Sequence, residues 1–431
     1  MQSFQIKRKY SAIIVDLALW GVVCLWIVKK ICNFVENHIP MKIVRKFIIL
    51  IITVCSIFPF AGCSDEPEVT VPVDKVLFMF FPWSENLSYY ISRNISDMES
   101  VVAQHGLKGQ RVIVYYATSA SEASLFEIKD KGGHAETLTL KDYHDFSATT
   151  PYAIAEILGD VQTYAPANRY GMVVGAHGWG WLPRRNVSKA MVRRKMGLDG
   201  APLGALTRYF GGINYNNQID CRDFAYAVEL SGLHFDFLVF DCCYMSSVEA
   251  LYEMRGVADY AVASAAEIMI DGLPYAVVGE YLLGEADLKK LCDGFLAYYQ
   301  STVYPYATYA VTDLRHLDHL AAVMKQANNY SFPPEEVAEL QSFDCYVSNP
   351  LFFDLGDYGE RLLAADEPLK SEFLAALQKA VVYEVHTSNY YYSGCPNPPA
   401  INSCCGLTVS DPSSHPNAAG RTSTSWWIAT H

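Results

Sequence analysis

The sequence predicts an α/β protein with a mostly parallel central sheet and a smaller C-terminal part of helices and short strands. From residue 75 onward, apolar runs that are too short for helices alternate with amphipathic segments. Strands that alternate with helices favour a parallel sheet, because the connecting helices cover both of its faces. Two of the apolar runs also end in reactive side chains, which is where α/β sheets place their binding sites.

The predicted strands are rich in aromatic and β-branched residues, and the predicted helices repeat apolar residues every three or four positions. Strands are expected at residues 75–81, 110–118, 125–128, 170–176, 235–241, 259–264 and 307–313, the last of which should close the core. Helices are expected at residues 87–105, 153–161, 221–230, 275–283 and 286–299. After residue 313, the pattern predicts helices at 315–329, 334–340, 357–365 and 367–380 and strands at 381–386 and 404–409.

The charge of the chain argues against nucleic acid as a partner. Its 431 residues carry a net charge of −13, although the first 62 residues are basic. The remainder is therefore more acidic than the whole, which disfavours a phosphate backbone and suits cationic substrates. A hydrophobic content of 51% is typical of a globular protein.

The N-terminal region has the pattern of an export signal. Residues 41–62 combine a basic start, an apolar middle and a small-residue exit. The exit, Phe-Ala-Gly-Cys at residues 60–63, resembles a bacterial lipobox, in which Cys63 would be acylated after cleavage before it. The acidic tether at residues 63–74 resembles the surface-export signal of lipoproteins from the Bacteroides group, so we expect an outer-membrane lipoprotein at the cell surface. The alternative is a membrane-anchor helix.

We expect Met41 to be the true start. Residues 1–40 would then be an upstream extension or a separate helix.

Two predicted strands end in a histidine and in a cysteine pair. His177 follows the strand at residues 170–176, and Cys242 and Cys243 follow the strand at residues 235–241, with a helix expected from Ser246. A thiolate nucleophile is favoured by a nearby imidazole and by a helix N-terminus. If the strands are neighbours, His177 and Cys243 form a candidate dyad, and the N–H groups of Gly178 and Cys243 form a candidate oxyanion hole. Otherwise the cysteines are small buried hydrophobes.

These residues are similar to the motifs of a known peptidase family. Residues 176–181, Ala-His-Gly-Trp-Gly-Trp, resemble the Asp-His-Gly-Gly-Gly-Trp motif of clostripain-like cysteine peptidases, family C11 of clan CD. Residues 241–245, Asp-Cys-Cys-Tyr-Met, resemble the family's Asp-Ala-Cys-Leu-Met motif. The resemblance implies a caspase-like α/β/α sandwich. We place its catalytic core at residues 75–313 and a C-terminal subdomain at residues 314–431.

The resemblance implies a role for each residue of the two motifs. His177 matches the catalytic histidine and Cys243 the nucleophile. Cys242 occupies a small position that should face the core, which agrees with the alternation of side chains along an extended segment. Ala176 replaces the acid that commonly precedes the histidine, which leaves open what orients the imidazole.

The same resemblance implies cleavage after Arg or Lys. Asp241 and Asp271 match the carboxylates of the family's acidic S1 pocket, which would pair with the cationic side chain of the substrate. Each acid also has a plainer interpretation. Asp241 could cap a helix, and Asp271 could be a turn residue beside Gly272.

A basic loop, residues 182–200, separates the two motifs. Family members are often activated by self-cleavage in this interval, and an exposed basic loop suits an Arg/Lys-specific peptidase. The resemblance therefore implies processing within residues 184–195 into two chains that stay associated. The candidate positions are Arg184, Arg185, Lys189, Arg193, Arg194 and Lys195. The alternative is a solvated loop.

The sequence assigns no metal site or cofactor. The cysteines after residue 63 lack the paired spacing of a zinc site. Some clostripain-like enzymes use calcium, but the sequence contains no EF-hand-type loop. The expected partners are peptides or proteins with Arg or Lys at P1, and the membrane through a lipid anchor. The protein would be a monomer or a processed two-chain monomer. The alternative function is a catalytically silent surface lipoprotein that uses the same fold to bind proteins or peptides.

Overall fold

A nine-stranded sheet lies at the centre of the part of the chain that the structure describes. The structure is a computed structural model, and it describes residues 72–182, 210–344, 349–393 and 397–431. The strands of this sheet are β1 Val73–Phe81, β2 Arg111–Ala117, β3 Glu122–Asp130, β4 Ala135–His144, β5 Ala167–Gly175, β9 Phe235–Asp241, β10 Ala258–Ala263, β11 Thr308–Asp313 and β13 Val381–His386. Their order across the sheet is β13-β11-β10-β9-β5-β1-β2-β3-β4.

The five central strands, β10, β9, β5, β1 and β2, are parallel to one another. Antiparallel pairs flank them on both sides, β11 with β13 and β3 with β4. Neighbouring parallel strands need a crossover, and helices supply most of these connections. The predicted α/β class with a mostly parallel sheet is therefore confirmed.

Most of the described helices begin at a residue whose side chain caps the helix. Thr150, Asp220 and Ser247 each accept a hydrogen bond from a backbone N–H in the first turn of the helix that follows. The helices are α1 Ser88–His105, α2 Pro151–Tyr164, α3 Cys221–Ser231, α4 Val248–Met254, α5 Tyr275–Val278, α6 Leu288–Gln300, α7 Leu317–Ala327, α8 Leu355–Leu362, α9 Glu367–Ala380 and α10 Ser425–Thr430.

These helices cover the sheet on both faces. Successive side chains of β1 alternate between two core clusters, with Phe78 and Phe80 in one and Met79 and Phe81 in the other. Helices α2, α3, α4, α7 and α9 contribute to the first cluster, and α1, α5 and α6 contribute to the second. The protein is thus an α/β/α sandwich whose central strands are buried on both faces, which explains their nearly continuous apolar sequence.

Two small sheets lie outside the central one. β6 His177–Gly178, β7 Phe210–Gly211 and β8 Gln218–Ile219 form a three-stranded sheet beside the end of β5. β12 Phe353–Asp354 pairs with β14 Thr408–Val409. The predicted strand at 404–409 is therefore shorter than expected.

The structure corrects three other expectations. The strand at residues 307–313 does not close the core, because β13 pairs with β11 and extends the central sheet. β4 was not predicted because most of its side chains are exposed, so it lacks an apolar run. The predicted helix at 275–283 is α-helical only in its first part, and the predicted helix at 334–340 is not α-helical. The first consists of α5 and the 3-10 helix Gly279–Leu282, and the second is the 3-10 helix Pro334–Glu339.

Candidate active site

The carboxyl ends of β1, β5 and β9 lie at one edge of the sheet. From β1 the chain first extends the sheet through β2, β3 and β4, and it then returns to place β5 on the other side of β1. Such a reversal of strand order is where open α/β sheets form binding crevices. His177 follows β5, Cys243 follows β9 and residues 82–86 follow β1.

β5 and β9 are neighbours, as the candidate dyad requires. They pair in parallel with Gly175 opposite Asp241. Beyond this pair, the Ala176 N–H donates to the Asp241 carbonyl oxygen at 3.3 Å. His177 and Cys243, each two residues past the paired positions, therefore occupy corresponding places at the two strand ends.

Gly178 lies directly against the backbone of Cys243. A Cβ atom at residue 178 would be 2.5 Å from the Cys243 carbonyl oxygen and 3.0 Å from the Cys243 nitrogen. Because both neighbours are backbone atoms, a side chain at this position would force the two strand ends apart. Gly178 also pairs with Phe210 across β6 and β7. The predicted oxyanion glycine is thus beside the cysteine, and the role of its N–H stays a prediction.

The two cysteines differ in their surroundings. Cys242 is 1% exposed and its thiol donates to the Val174 carbonyl oxygen at 3.4 Å. Burial raises the pKa of this thiol well above its usual value. Cys243 is half-buried, and the Ile268 N–H donates to its sulfur at 3.3 Å, a contact that stabilises negative charge on the sulfur. Cys243 is therefore the accessible thiol of the pair, and Cys242 packs inward as the alternation predicts.

A sharp turn follows Cys243. Tyr244 has a φ of 59°, a left-handed conformation that bulky residues rarely adopt. Its ring is fully buried and stacks on Phe352, with a distance of 4.8 Å between the ring centroids. The ring of Trp179, from the histidine motif, is tilted relative to the Tyr244 ring, with 5.3 Å between the two ring centroids. This packing holds the strained backbone in place, and α4 begins shortly afterwards at Val248.

Asp241 is buried at the end of β9. Its carboxylate accepts hydrogen bonds from the Leu273 N–H at 2.8 Å and from the Tyr275 hydroxyl at 3.3 Å. Burial raises the pKa of Asp241 to about 7, although both hydrogen bonds oppose the shift. The helix-cap interpretation of Asp241 is wrong, because Ser247 caps α4.

Asp271 lies on the loop that covers Asp241. Gly272 approaches Asp241 so closely that a Cβ atom at 272 would lie 2.8 Å from each of the two carboxylate oxygens. The side chain of Asp271 is 42% exposed and pairs with Arg93 of α1, whose Nη2 is 3.2 Å from the Asp271 Oδ1. One loop therefore carries the exposed Asp271 and contacts the buried Asp241 through its backbone, but an arginine of the protein itself already contacts the exposed carboxylate.

Asn86 belongs to the site, although sequence analysis did not select it. Its Oδ1 lies 2.8 Å from the Nε2 of His177. Residues 82–86 had the composition of a turn and nothing more. The available signal was positional, since a polar residue just after the strand next to the histidine strand lies at the same sheet edge.

Several predicted residues lie outside the part of the chain that the structure describes. These are Cys63 and the candidate processing residues Arg184, Arg185, Lys189, Arg193, Arg194 and Lys195. Among the described residues, no group of three or more His, Cys, Asp or Glu side chains could hold a metal ion. No helix in the described ranges is long and apolar enough to cross a membrane.

Comparison with known proteins assigns the family. A model of the clostripain family, Peptidase_C11, matches residues 80–331, which is more than half of the chain. The chain belongs to the clostripain family. Membership places it among cysteine peptidases with a caspase-like fold, in agreement with the resemblance of the two sequence motifs.

Solved structures of clostripain-family proteins superpose on most of this chain. A secreted C11 cysteine protease from Bacteroides thetaiotaomicron, "iotapain", is 40% identical, with a TM-score of 0.76, and covers 84% of this chain and 100% of its own. An inactive zymogen C11 protease from Parabacteroides distasonis is 25% identical, with a TM-score of 0.68 and the same coverage of both chains. A search of curated proteins found no match.

Proposed function

We propose that this clostripain-family protein is a cysteine endopeptidase that hydrolyses peptide bonds after Arg or Lys. The observation that carries the proposal is the pairing of β5 with β9, which gives His177 and Cys243 corresponding positions at adjacent strand ends. Membership of a cysteine peptidase family supports the chemistry. The half-buried Cys243, beside the buried Cys242, supports the choice of nucleophile.

The reaction is an acyl transfer in two steps. His177 takes the proton of the Cys243 thiol, and the sulfur attacks the carbonyl carbon while the N–H groups of Gly178 and Cys243 stabilise the oxyanion. The imidazolium then gives this proton to the leaving amine as the C–N bond breaks, which leaves a thioester on Cys243. Water that loses a proton to His177 attacks the thioester, and the carboxylic acid product leaves as the thiol is restored.

Asp241 and Asp271 select the P1 residue in this proposal. A guanidinium or ammonium group that binds there gains two carboxylate partners, whereas a neutral side chain forms an ion pair with neither. The loop at residues 271–273 supports this arrangement, because it joins the exposed Asp271 to the backbone that contacts Asp241.

The test uses three peptides that differ only at P1, with Arg, Lys or Gln. We expect cleavage after Arg and Lys and a loss of at least about 10³-fold in kcat/KM with Gln or in the Cys243→Ala variant. Cys242→Ala is the matched control, and it should stay active because its sulfur faces the core. Equal cleavage of the three peptides would refute the specificity, and an active Cys243→Ala protein would refute the mechanism.

We also propose that the chain processes itself within residues 184–195. The support is the run of arginines and lysines there in an otherwise acidic protein. On a denaturing gel, wild-type protein should resolve into two fragments, and Cys243→Ala protein should stay intact. Fragments of the same size in both proteins would show that another peptidase makes the cut.

The third proposal is export as a lipoprotein with Cys63 as the acylated residue. The lipobox-like residues 60–63 after an apolar run support it. Mass spectrometry of the mature protein should find an N-terminal diacylated Cys63, and Cys63→Ser should remove the lipid. A mature chain that still carries residues 41–62 would contradict the proposal.

A further inference from the structure

The imidazole of His177 needs a partner that fixes its orientation. The preceding residue, Ala176, carries only a methyl group, so it cannot supply one. Asn86 approaches from another strand end, with its Oδ1 2.8 Å from the His177 Nε2. An amide oxygen can only accept a hydrogen bond, so the ring nitrogen that faces it carries the proton. β1 pairs directly with β5, which brings the residues after β1 to the histidine.

The neighbour of Asn86 holds the loop in an unusual conformation. Glu85 has a φ of 45°, in the left-handed region that side-chain-bearing residues seldom occupy. Its carboxylate accepts hydrogen bonds from the backbone of Ile213, from the backbone and side chain of Asn214, and from the side chain of Asn217. Because Glu85 is strained and is held by several hydrogen bonds, we infer that the orientation of the next side chain, Asn86, is important for function.

We propose that Asn86 is a positioning residue for His177, and that Glu85 fixes Asn86 in place. The Asn86 oxygen accepts the Nε2–H, which leaves the exchange of protons with Cys243 to the Nδ1 atom. This inference rests on the proposed function, because it assumes that His177 is the acid–base of the dyad.

The hydrogen bond would act in both charge states of the ring. In the neutral ring it keeps the proton on Nε2, so that Nδ1 has the lone pair that accepts the thiol proton. In the imidazolium, both nitrogens carry protons, and the Asn86 oxygen stabilises the Nε2–H while Nδ1 donates its proton to the leaving amine. Without Asn86 the ring can rotate or take the other tautomer, so the productive arrangement becomes less populated.

The first experiment compares Asn86→Ala, Asn86→Asp and the control Asn329→Ala on the Arg peptide. Asn329 is an exposed asparagine after α7, and its amide bonds only to nearby backbone. We expect kcat to fall by about 10- to 100-fold in Asn86→Ala with little change in KM, because hydrogen bonds to charged groups have effects of this size. Asn86→Asp should restore activity, because a carboxylate also accepts the Nε2–H.

The pH profile separates positioning from a general loss of structure. His177 must be neutral to accept the thiol proton, and a carboxylate stabilises its imidazolium, so the acidic limb of the kcat/KM profile should move to higher pH in Asn86→Asp and to lower pH in Asn86→Ala. Glu85→Gln, which keeps the size of the side chain, should reduce kcat less than Asn86→Ala does. Wild-type kcat and an unmoved pH profile in Asn86→Ala would overturn the inference.

A second readout does not depend on peptide cleavage. Alkylation of Cys243 by iodoacetamide reports thiolate formation, and its rate against pH should shift in Asn86→Ala relative to wild type and Asn329→Ala. Cys243→Ala shows which labelling belongs to this residue. If wild type cleaves no peptide, the proposed function fails. If the pH dependence of alkylation nonetheless changes in Asn86→Ala, the interaction of Asn86 with His177 is supported. If it does not change, the positioning role of Asn86 is refuted separately from the proposed function.

Discussion

Asp241 is the residue whose protonation should be visible in substrate binding. Burial raises its pKa to about 7, so in the free protein the carboxyl group is mostly neutral at pH 6 and mostly ionised at pH 8. In the proposed S1 pocket, a cationic P1 side chain would bind the ionised form. Its affinity should therefore fall by about tenfold from pH 8 to pH 6, the change in the ionised fraction across one pH unit on each side of the pKa.

Benzamidine tests this prediction, because it stays cationic over the whole pH range. Its inhibition constant should rise about tenfold from pH 8 to pH 6, whereas that of the neutral benzamide should stay nearly constant. In Asp241→Asn, benzamidine should bind weakly at both pH values. A benzamidine constant that does not change with pH in the wild type would show that Asp241 does not bind the cation.

At the scale of elements, Gly178 fixes how closely the ends of β5 and β9 approach each other. In Gly178→Ala, the new methyl group would meet the Cys243 carbonyl oxygen at 2.5 Å and the Cys242 Cβ at 2.8 Å. We expect a loss of more than about 100-fold in kcat/KM, since small displacements of reacting groups have effects of this size. Peptide cleavage and urea denaturation measure the two consequences, lost activity and lost stability.

Gly159 provides the matched control. It lies in α2, where a Cβ atom would meet nothing within 4 Å. Gly159→Ala should keep full activity and raise the free energy of unfolding by about 1 kcal/mol, because alanine favours the helix. If both alanine variants kept full activity, the close approach of Gly178 to Cys243 would not be required for peptide cleavage.

The contact between α1 and the loop at residues 271–273 should weaken the binding of cationic substrates. Arg93 and Asp271 are 45% and 42% exposed, so their ion pair contributes little to stability. In the proposed S1 pocket, an arginine or lysine at P1 would nonetheless compete with Arg93 for the same carboxylate. We therefore expect Arg93→Gln to lower KM for the Arg peptide by about two- to fivefold, which corresponds to less than about 1 kcal/mol.

Lys131→Gln is the control for Arg93→Gln. Lys131 forms a similarly exposed ion pair with Glu136, at 3.4 Å, at the β3–β4 end of the sheet. This variant should leave KM unchanged. A KM that rises in Arg93→Gln would mean that the arginine orients Asp271 for the substrate and does not compete with it.

At the scale of the whole molecule, the sequence alone predicts the buried central strands and the candidate site residues that follow two of them. The central strands are buried on both faces, so their apolar runs are recognisable in the sequence. The motifs around His177 and Cys243 directly follow two of those strands. β4 is not recognisable in the sequence because it is mostly exposed. The pairing of β13 with β11 joins residues that are about 70 positions apart. Local patterns carry no information about such a pairing.

The same contrast holds within the candidate site. Cys242 and Cys243 could be told apart from alternation alone, because neighbours on an extended segment face opposite ways. The partners Asn86 of His177 and Arg93 of Asp271 lie 91 and about 180 residues away in the chain. A single sequence contains no signal that links such positions, and only the order of the strands brings them together.

Three buried carboxyl groups other than Asp241 should make the whole molecule less stable at alkaline pH. Burial raises the pKa of Glu249 to about 8, of Asp344 to about 8 and of Asp411 to about 7. The folded protein therefore holds these protons more tightly than the unfolded chain does. The stability that they contribute is fully present below their unfolded pKa, near pH 4, and is lost as the pH rises through 7 and 8.

The melting temperature tests this prediction, measured between pH 5 and pH 9 on Cys243→Ala protein so that self-cleavage does not interfere. It should be highest at the acidic end and fall towards pH 9. Glu249→Gln should flatten the curve of melting temperature against pH, because an amide stays neutral over this range. The amide oxygen can still accept a hydrogen bond from the Ser410 N–H or the Ser247 hydroxyl, which bind the two carboxylate oxygens of Glu249. Exposed acids with lowered pKa, such as Glu285, affect stability only near and below pH 4.5. A melting temperature that rises steadily from pH 5 to pH 9 would mean that the three groups are already ionised in the folded protein.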